Sequence, residues 1–451
     1  MTFDLCIEGG TVVTPAGSTK ANVYVNDGRI AAVTGASEPA REHVDASGLL
    51  VMPGMVDSHV HLMDPGDAER EDFPSGTAAA ARSGVTTVVE HTHARPVRTA
   101  ADFEAKAAHL ADRSRVDFAL AAHVWPGEIA SALDAWRAGA AYLKVFTCTT
   151  HGVPAHGRHQ LRALFAAGAA ANAVFLVHSE DEALTEEAER KLRASGRDDG
   201  GVIPEWRNVE AELTAVALVG LLAREAGAKV VIAHASCPQT VEAAGRMRDD
   251  RVKIETCPQY LTLLRREVEE LGALRKFTPP ARAGGADELD AMWRLVRDGR
   301  IDILSSDHAP STLDQKLTPN LWDAHFGLPG LDTTMGVLLD GAAAGRITYE
   351  RIVELYSQNP SRMYGLWPRK GSLERGADAD VVLVDPAQQW TVSNEQVLSR
   401  ARWSPYSGRR LTGRAVRTYV RGALAMADGE VVARPGTGRL LRGAGRAHPT
   451  R

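Results

Sequence analysis

Two histidines one residue apart, His59 and His61, close the stretch Pro53-Gly54-Met55-Val56-Asp57-Ser58-His59-Val60-His61. An apolar run behind a Pro-Gly turn reads as a buried strand. In a strand, residues i and i+2 point to the same face. Both imidazoles therefore project from one side of a rigid strand end, where they can share a metal ion. A bare His-x-His is more often a pair of satisfied structural histidines, but here the context reverses that reading. Further candidate ligands fall at the ends of other apolar runs: His178 in VFLVHSE, His234 in KVVIAHAS and Asp307 in IDILSSDHA.

Lys144 stands inside the apolar run Tyr142-Leu143-Lys144-Val145-Phe146. Burying a cation is costly, so the site favours the neutral amine. A neutral amine can add carbon dioxide to give an anionic, bidentate carbamate that bridges two metal ions. A lysine that snorkels to a rim or pairs with a carboxylate fits the residues equally well.

The elements that must position these side chains are eight short apolar runs: 55–62, 85–91, 116–124, 140–146, 174–180, 229–236, 252–258 and 301–309. Helical stretches rich in Ala, Glu and Arg separate them. Continuous apolar strands alternating with helices imply a parallel sheet covered by helices, and eight units imply an α/β fold of the (β/α)₈ barrel type. A doubly wound open sheet is the alternative, but no Gly-x-Gly-x-x-Gly follows an early strand. In a barrel all the C-terminal strand ends meet at one mouth. His59, His61, Lys144, His178, His234 and Asp307 would converge there, which packing alone does not explain.

Both ends of the chain have a different character. Residues 1–52 read as hairpin strands, with a turn at Asn26-Asp27-Gly28. Strand character returns over 369–435, where Ala427-Asp428-Gly429-Glu430 echoes that turn. Neither segment can bury a core alone, so the two are expected to combine into one small β-sandwich beside a barrel at 53–368. Residues 436–451 hold four arginines and no acid, and read as a flexible tail.

Composition narrows the setting. The 451 residues are 44% hydrophobic and 24% charged, with a net charge of −5 and both signs interspersed. This gives no electrostatic case for nucleic acid or an anionic membrane. No basic leader with a long apolar run opens the chain, and no run is long enough to span a bilayer. The four scattered cysteines form no Cys-x-x-Cys pair and read as buried thiols in a reducing compartment, so the cytoplasm is expected.

The motifs PGMVDSHVHLMDPG, AYLKVF, VHSE, IAHAS, ETCPQYL, FTPPAR, SSDHAP, GLPGLDTTMGVLL and SPYSGRRLTG carry a resemblance over nearly the whole chain. It resembles the cyclic amidohydrolases of the amidohydrolase superfamily: allantoinases, hydantoinases, dihydropyrimidinases and dihydroorotases. The resemblance implies a binuclear centre, usually zinc. His59, His61 and Asp307 would bind the more buried ion, His178 and His234 the second, and a carboxylated Lys144 both. Asp307 would also serve as general base and acid in opening a cyclic amide. A homotetramer follows by the same analogy, with a small cyclic amide as the partner molecule.

Departures from the family pattern refine the substrate. Dihydroorotases carry an arginine two residues after the second histidine to hold a carboxylate, and Met63 stands here. Hydantoinases carry a tyrosine five residues after the lysine, and Thr149 stands here. His151 nearby is a candidate oxyanion donor; a loop histidine in water is the even alternative. Thr278 and Leu328 align with ring-contact positions. His91, His93 and His123 are not family ligands and read as supporting residues. The expected substrate is a hydantoin-type ring, with a dihydropyrimidine second. A non-catalytic scaffold is disfavoured because every ligand position is intact.

Overall fold

The computed structural model describes residues 2–446. Eight strand positions form a parallel ring: β8 (Met55–Val60), β9 (Val85–Glu90), an interrupted strand made of β10 (Asp117–Leu120) and β11 (Ala122–His123), β12 (Leu143–Phe146), β13 (Val174–His178), β14 (Lys229–Ile232), β15 (Val252–Thr256) and β16 (Ile303–Leu304). The interruption is where the strand changes partner. Ala121 N–H bonds back to Glu90 C=O at 2.9 Å, and Ala122 N–H bonds forward to Tyr142 C=O at 3.0 Å. The ring closes between its first and last strands, where Val60 bridges His308 and His61 N–H meets His308 C=O at 2.7 Å. This is the expected (β/α)₈ barrel.

The outer helices start and stop where the sequence signals them. Asn208 caps the helix Val209–Ala226, accepting from Ala211 N–H, and Gly227 ends it in the left-handed conformation at φ 67°. That geometry costs glycine nothing, because it has no Cβ to clash. Phe118, Val145, Leu176, Val231 and Ile254 fill the barrel and its helix interface, all buried.

Both chain ends build the β-sandwich. One sheet runs β5 (Arg29–Thr34), β4 (Asn22–Asn26), β1 (Phe3–Glu8), β6 (Ala40–Asp45). The other combines β2 (Thr11–Thr14), β3 (Gly17–Lys20) and β7 (Leu50–Pro53) with β17 (Val381–Thr391), β18 (Arg410–Val420), β19 (Ala423–Ala427) and β20 (Glu430–Val431). The seam is the antiparallel pair β7–β17, with Met52 opposite Val382. Ile7, Val23, Val25, Val51, Val381 and Leu383 fill the space between the sheets. Sandwich and barrel are locked by the buried ammonium of Lys370, which meets Asp117 at 2.5 Å, Asp380 at 2.7 Å and Asp378 at 2.9 Å.

The reading of residues 436–451 as a flexible tail does not hold over 436–446. Phe118 N–H bonds to Arg439 C=O at 3.0 Å, and Leu441 N–H bonds to Phe118 C=O at 2.7 Å. Leu441 is buried, and Arg442 pairs with Glu104 at 2.6 Å. The segment is held through its backbone, so its polar composition gave no sign of order. Residues 447–451 lie outside the described residues.

Candidate metal centre at the barrel mouth

Strand pleating sets the geometry at the mouth. His59 and His61 leave β8 on one face, and Asp307 follows the short last strand. His59 Nε2 lies 3.2 Å from Asp307 Oδ1, and His61 Nε2 lies 3.4 Å from the same oxygen. Lys144 Nζ stands 3.3 Å from His59 Nε2. On the other side His178 Nδ1 and His234 Nε2 are 3.0 Å apart. Asp307 and His234 have positive φ, 49° and 39°. Such non-glycine residues are uncommon, and here they turn the backbone at strand ends.

Three of the four imidazoles are oriented from behind. His61 Nδ1 donates to His91 C=O at 2.9 Å. A carbonyl can only accept, so His61 Nε2 carries a lone pair aimed at a carboxylate oxygen. His59 Nδ1 lies 2.8 Å from Glu255. Burial and the Lys144 charge hold both rings well below the usual imidazole range, so they are neutral. Glu180 anchors His178 Nε2 at 2.7 Å. Burial alone would raise Glu180, but Arg207, His178 and Thr278 more than offset it and hold the carboxylate down at about 2. An ionised Glu180 accepts, so His178 Nε2 donates and His178 Nδ1 faces His234 with a lone pair.

Lone pairs and a carboxylate facing one another without enough protons define a cation site. Ligands about 2.1 Å from one ion stand about 3.0 to 3.4 Å apart between right-angle and tetrahedral geometry. The measured separations match. His59, His61 and His91 also bring donor atoms within 4.8 Å of one another. Lys144 is fully buried, with no carboxylate within ion-pair distance among the described residues. Burial lowers its amine from the ordinary lysine value. The residues fit two divalent ions and a modified lysine.

The mouth opens into a pocket. The six expected ligands line it, as do His151 and Thr278. His151 has φ 53°, and its ring stacks on His93 at 4.5 Å and 7° between planes. Thr278 Oγ1 donates to Glu180 at 2.7 Å. Met63, Thr149 and Leu328 are not among the lining residues. Met63 is buried against the Thr92 hydroxyl, Thr149 is exposed and gives its hydroxyl to Glu182 at 2.6 Å, and Leu328 packs behind Gly327, which takes its place at the wall. The turn at φ 56° accounts for Met63, because it swings the side chain out of the β8 register.

The amidohydrolase family matches residues 50–422. The chain belongs to the amidohydrolase family. It is 37% identical over 449 residues to an allantoinase of Rubrobacter xylanophilus, covering 98% of both chains. It is 32% identical to an L-hydantoinase of Paenarthrobacter aurescens, covering 97% of this chain and 98% of that one. The solved L-hydantoinase (dihydropyrimidinase) of Arthrobacter aurescens superposes with a TM-score of 0.94 at 31% identity, covering 98% of this chain and all of that one. This amidohydrolase is a hydrolase acting on cyclic amides, of a metal-dependent group.

Other residues of this amidohydrolase's site escaped the sequence reading. Glu180, two residues after His178 in VHSE, had a signal that the sequence reading passed over. Arg207 had none: it reaches the site from a loop between helices, stacks on Trp206 with its guanidinium 4.5 Å from the ring centroid, and sits 3.5 Å from Glu180. Phe146, Phe277 and Phe326 form the apolar wall. Single aromatic residues scattered along a chain carry no pattern that marks a pocket.

Proposed function

We propose that this amidohydrolase opens the ring amide of a hydantoin-type ureide, allantoin or a 5-substituted hydantoin, using two zinc ions. The observation that carries this reading is the single set of imidazole, carboxylate and amine groups, 3.0–3.4 Å apart, at the barrel mouth. His59, His61 and Asp307 would hold one ion, and His178 and His234 the other. Lys144, carboxylated on Nζ by carbon dioxide with loss of a proton, would join both. When bound, the ions supply an activated water and polarise the ring carbonyl.

The chain's own groups supply the rest. The Asp307 carboxylate takes a proton from the attacking water and returns it to the departing ring nitrogen. The water oxygen adds to the carbonyl carbon, the C–N bond breaks, and a ureido acid results. Burial and nearby His61 hold His151 well below the usual imidazole range, so it is neutral and offers one N–H to the developing oxyanion. Phe146, Phe277 and Phe326 keep bulk water from the ring, which strengthens each polar contact inside.

A dihydropyrimidine ring is the second reading, favoured by the likeness to the dihydropyrimidinase structure. A cytoplasmic homotetramer goes with either. Four buried free thiols support a reducing compartment, and among the described residues no helix is long and apolar enough to cross a membrane. The test is a spectrophotometric screen of allantoin, hydantoins, dihydrouracil and dihydroorotate on zinc-loaded enzyme. Ring opening of a hydantoin-type substrate with the highest kcat/KM is expected. No hydrolysis of any of them at two zinc ions per chain would overturn the reading.

A further inference from the structure

His93 lines the cavity but is neither one of the expected ligands nor, like His151, a candidate oxyanion donor. It lines the cavity from the loop after β9. Its ring lies between His61, at 4.4 Å, and His151, stacked at 4.5 Å, with Phe146 edge-on at 5.5 Å. Among the described residues no group hydrogen-bonds either ring nitrogen, and Nδ1 is enclosed without a partner. A polar atom shut away from water without a hydrogen bond is costly. Nε2 is the ring nitrogen that is not enclosed, and a molecule bound in the cavity can supply its partner.

We infer that His93 is a specificity-determining residue that hydrogen-bonds a urea-bearing substituent on the ring, so that this enzyme favours a 5-ureido hydantoin over 5-alkyl or 5-aryl hydantoins. The inference rests on the hydantoin reading and narrows it. Whichever tautomer it takes, Nε2 either donates or accepts, and a urea offers both C=O and N–H to meet it. The stack fixes the His93 ring plane, so its polar edge is held in place before the substrate arrives. An alkyl substituent would leave that edge unpaired. Met63 is not among the residues that line the cavity. Sites built to bind a polar group discriminate against an analogue lacking it far more strongly than apolar pockets discriminate by size.

The experiment compares kcat/KM for allantoin and for 5-isobutylhydantoin on zinc-loaded wild type, His93→Phe and His93→Asn. Phenylalanine keeps a flat ring against His151 but has no hydrogen-bonding edge; asparagine restores a donor and an acceptor. The wild type is expected to favour allantoin, and His93→Phe to lower the allantoin-to-isobutyl ratio by about thirtyfold or more. His93→Asn should recover part of that ratio, with zinc content unchanged in both variants. An equal fall on both substrates, an unchanged ratio, or a wild type that prefers the isobutyl ring would overturn the inference. Failure of the wild type to open either ring, at full zinc occupancy, would instead sink the hydantoin reading.

Discussion

One carboxylate oxygen links both halves of the candidate metal centre. Glu255 Oε1 lies 2.8 Å from His59 Nδ1 and accepts the backbone N–H of His234 at 3.3 Å. Glu255 is fully buried on β15, between the strands that carry the two groups of ligands. It fixes the His59 ring and the strained turn at His234 together. Removing it should loosen ligands on both sides.

Glu255→Gln should therefore weaken zinc binding by about ten- to a hundredfold, with the fold intact. Competition against a chromogenic chelator measures this directly. Unchanged affinity would show that the packing around His59 orients its ring without Glu255.

Lys144 makes the second prediction. Burial pulls the amine below its ordinary value of 10.5, with Asp307 and Glu255 opposing the shift. A lowered value means the neutral, reactive amine gains population as pH rises. Zinc reconstitution of chelated enzyme at a fixed pressure of carbon dioxide should speed up with pH, and should stall when carbon dioxide is stripped. Lys144→Ala should lose both zinc and turnover, with partial rescue by short carboxylic acids. Full activity in that variant would sink the bridging role.

The proposed mechanism gives the proton step to Asp307. Asp307→Asn keeps the size of the side chain and much of its hydrogen bonding, and should lower kcat by about a hundred- to ten-thousandfold, the range for general acid–base catalysis. Circular dichroism should be unchanged. A loss under about tenfold would mean that another group moves the proton.

Much of this site was legible because it obeys the period of a strand. His59 and His61 announce themselves at i and i+2, His178, His234 and Asp307 end apolar runs and Lys144 stands inside one, so eight parallel strands bring these expected ligands to one mouth. Met63 was misplaced because a positive φ breaks that period just past the strand end, and nothing in Leu62-Met63-Asp64 signals it. Leu328 was one residue off for a similar reason: Gly327 at φ 113° lies where a Cβ would strike Ala309 C=O at 2.2 Å. Arg207, Phe277 and Phe326 come from separate loops and Phe146 from the end of β12, and their meeting is a property of the closed barrel. The segment 436–446 was misread because backbone hydrogen bonds hold it, and these leave no trace in composition.

Stability should depend on the joint between barrel and sandwich. Burial lowers the Lys370 amine, but Asp380, Asp117 and Asp378 more than offset this and leave it raised. A raised lysine contributes stability that is complete below its unfolded value of 10.5 and is lost only as pH climbs through the higher folded value. The cluster is therefore fully formed at neutral pH. Lys370→Met would strand buried carboxylates and should cost about 3–5 kcal/mol, seen as a lower Tm. A Tm within error of the wild type would show that the acids find other partners.

Dihydroorotate should be the poorest of the ring substrates. The sequence argument placed Met63 where a carboxylate-binding arginine would stand, yet Met63 does not reach the cavity. The conclusion stands on firmer ground in the structure. Lys144 is the one lysine or arginine among the cavity-lining residues, and in the proposed centre it is taken up by the metal ions. Arg207 is committed to Glu180 and to the Trp206 face, and Arg70 gives its Nε to Pro310 C=O at 3.0 Å. A substrate carboxylate entering this cavity finds no free guanidinium, and leaving it unpaired costs several kcal/mol, roughly a hundredfold or more in kcat/KM. The comparison is kcat/KM for dihydroorotate against allantoin on the same zinc-loaded preparation. If dihydroorotate is the better substrate, Arg70 or Arg207 must swing into the cavity on binding, and alanine at the responsible position would then abolish that preference.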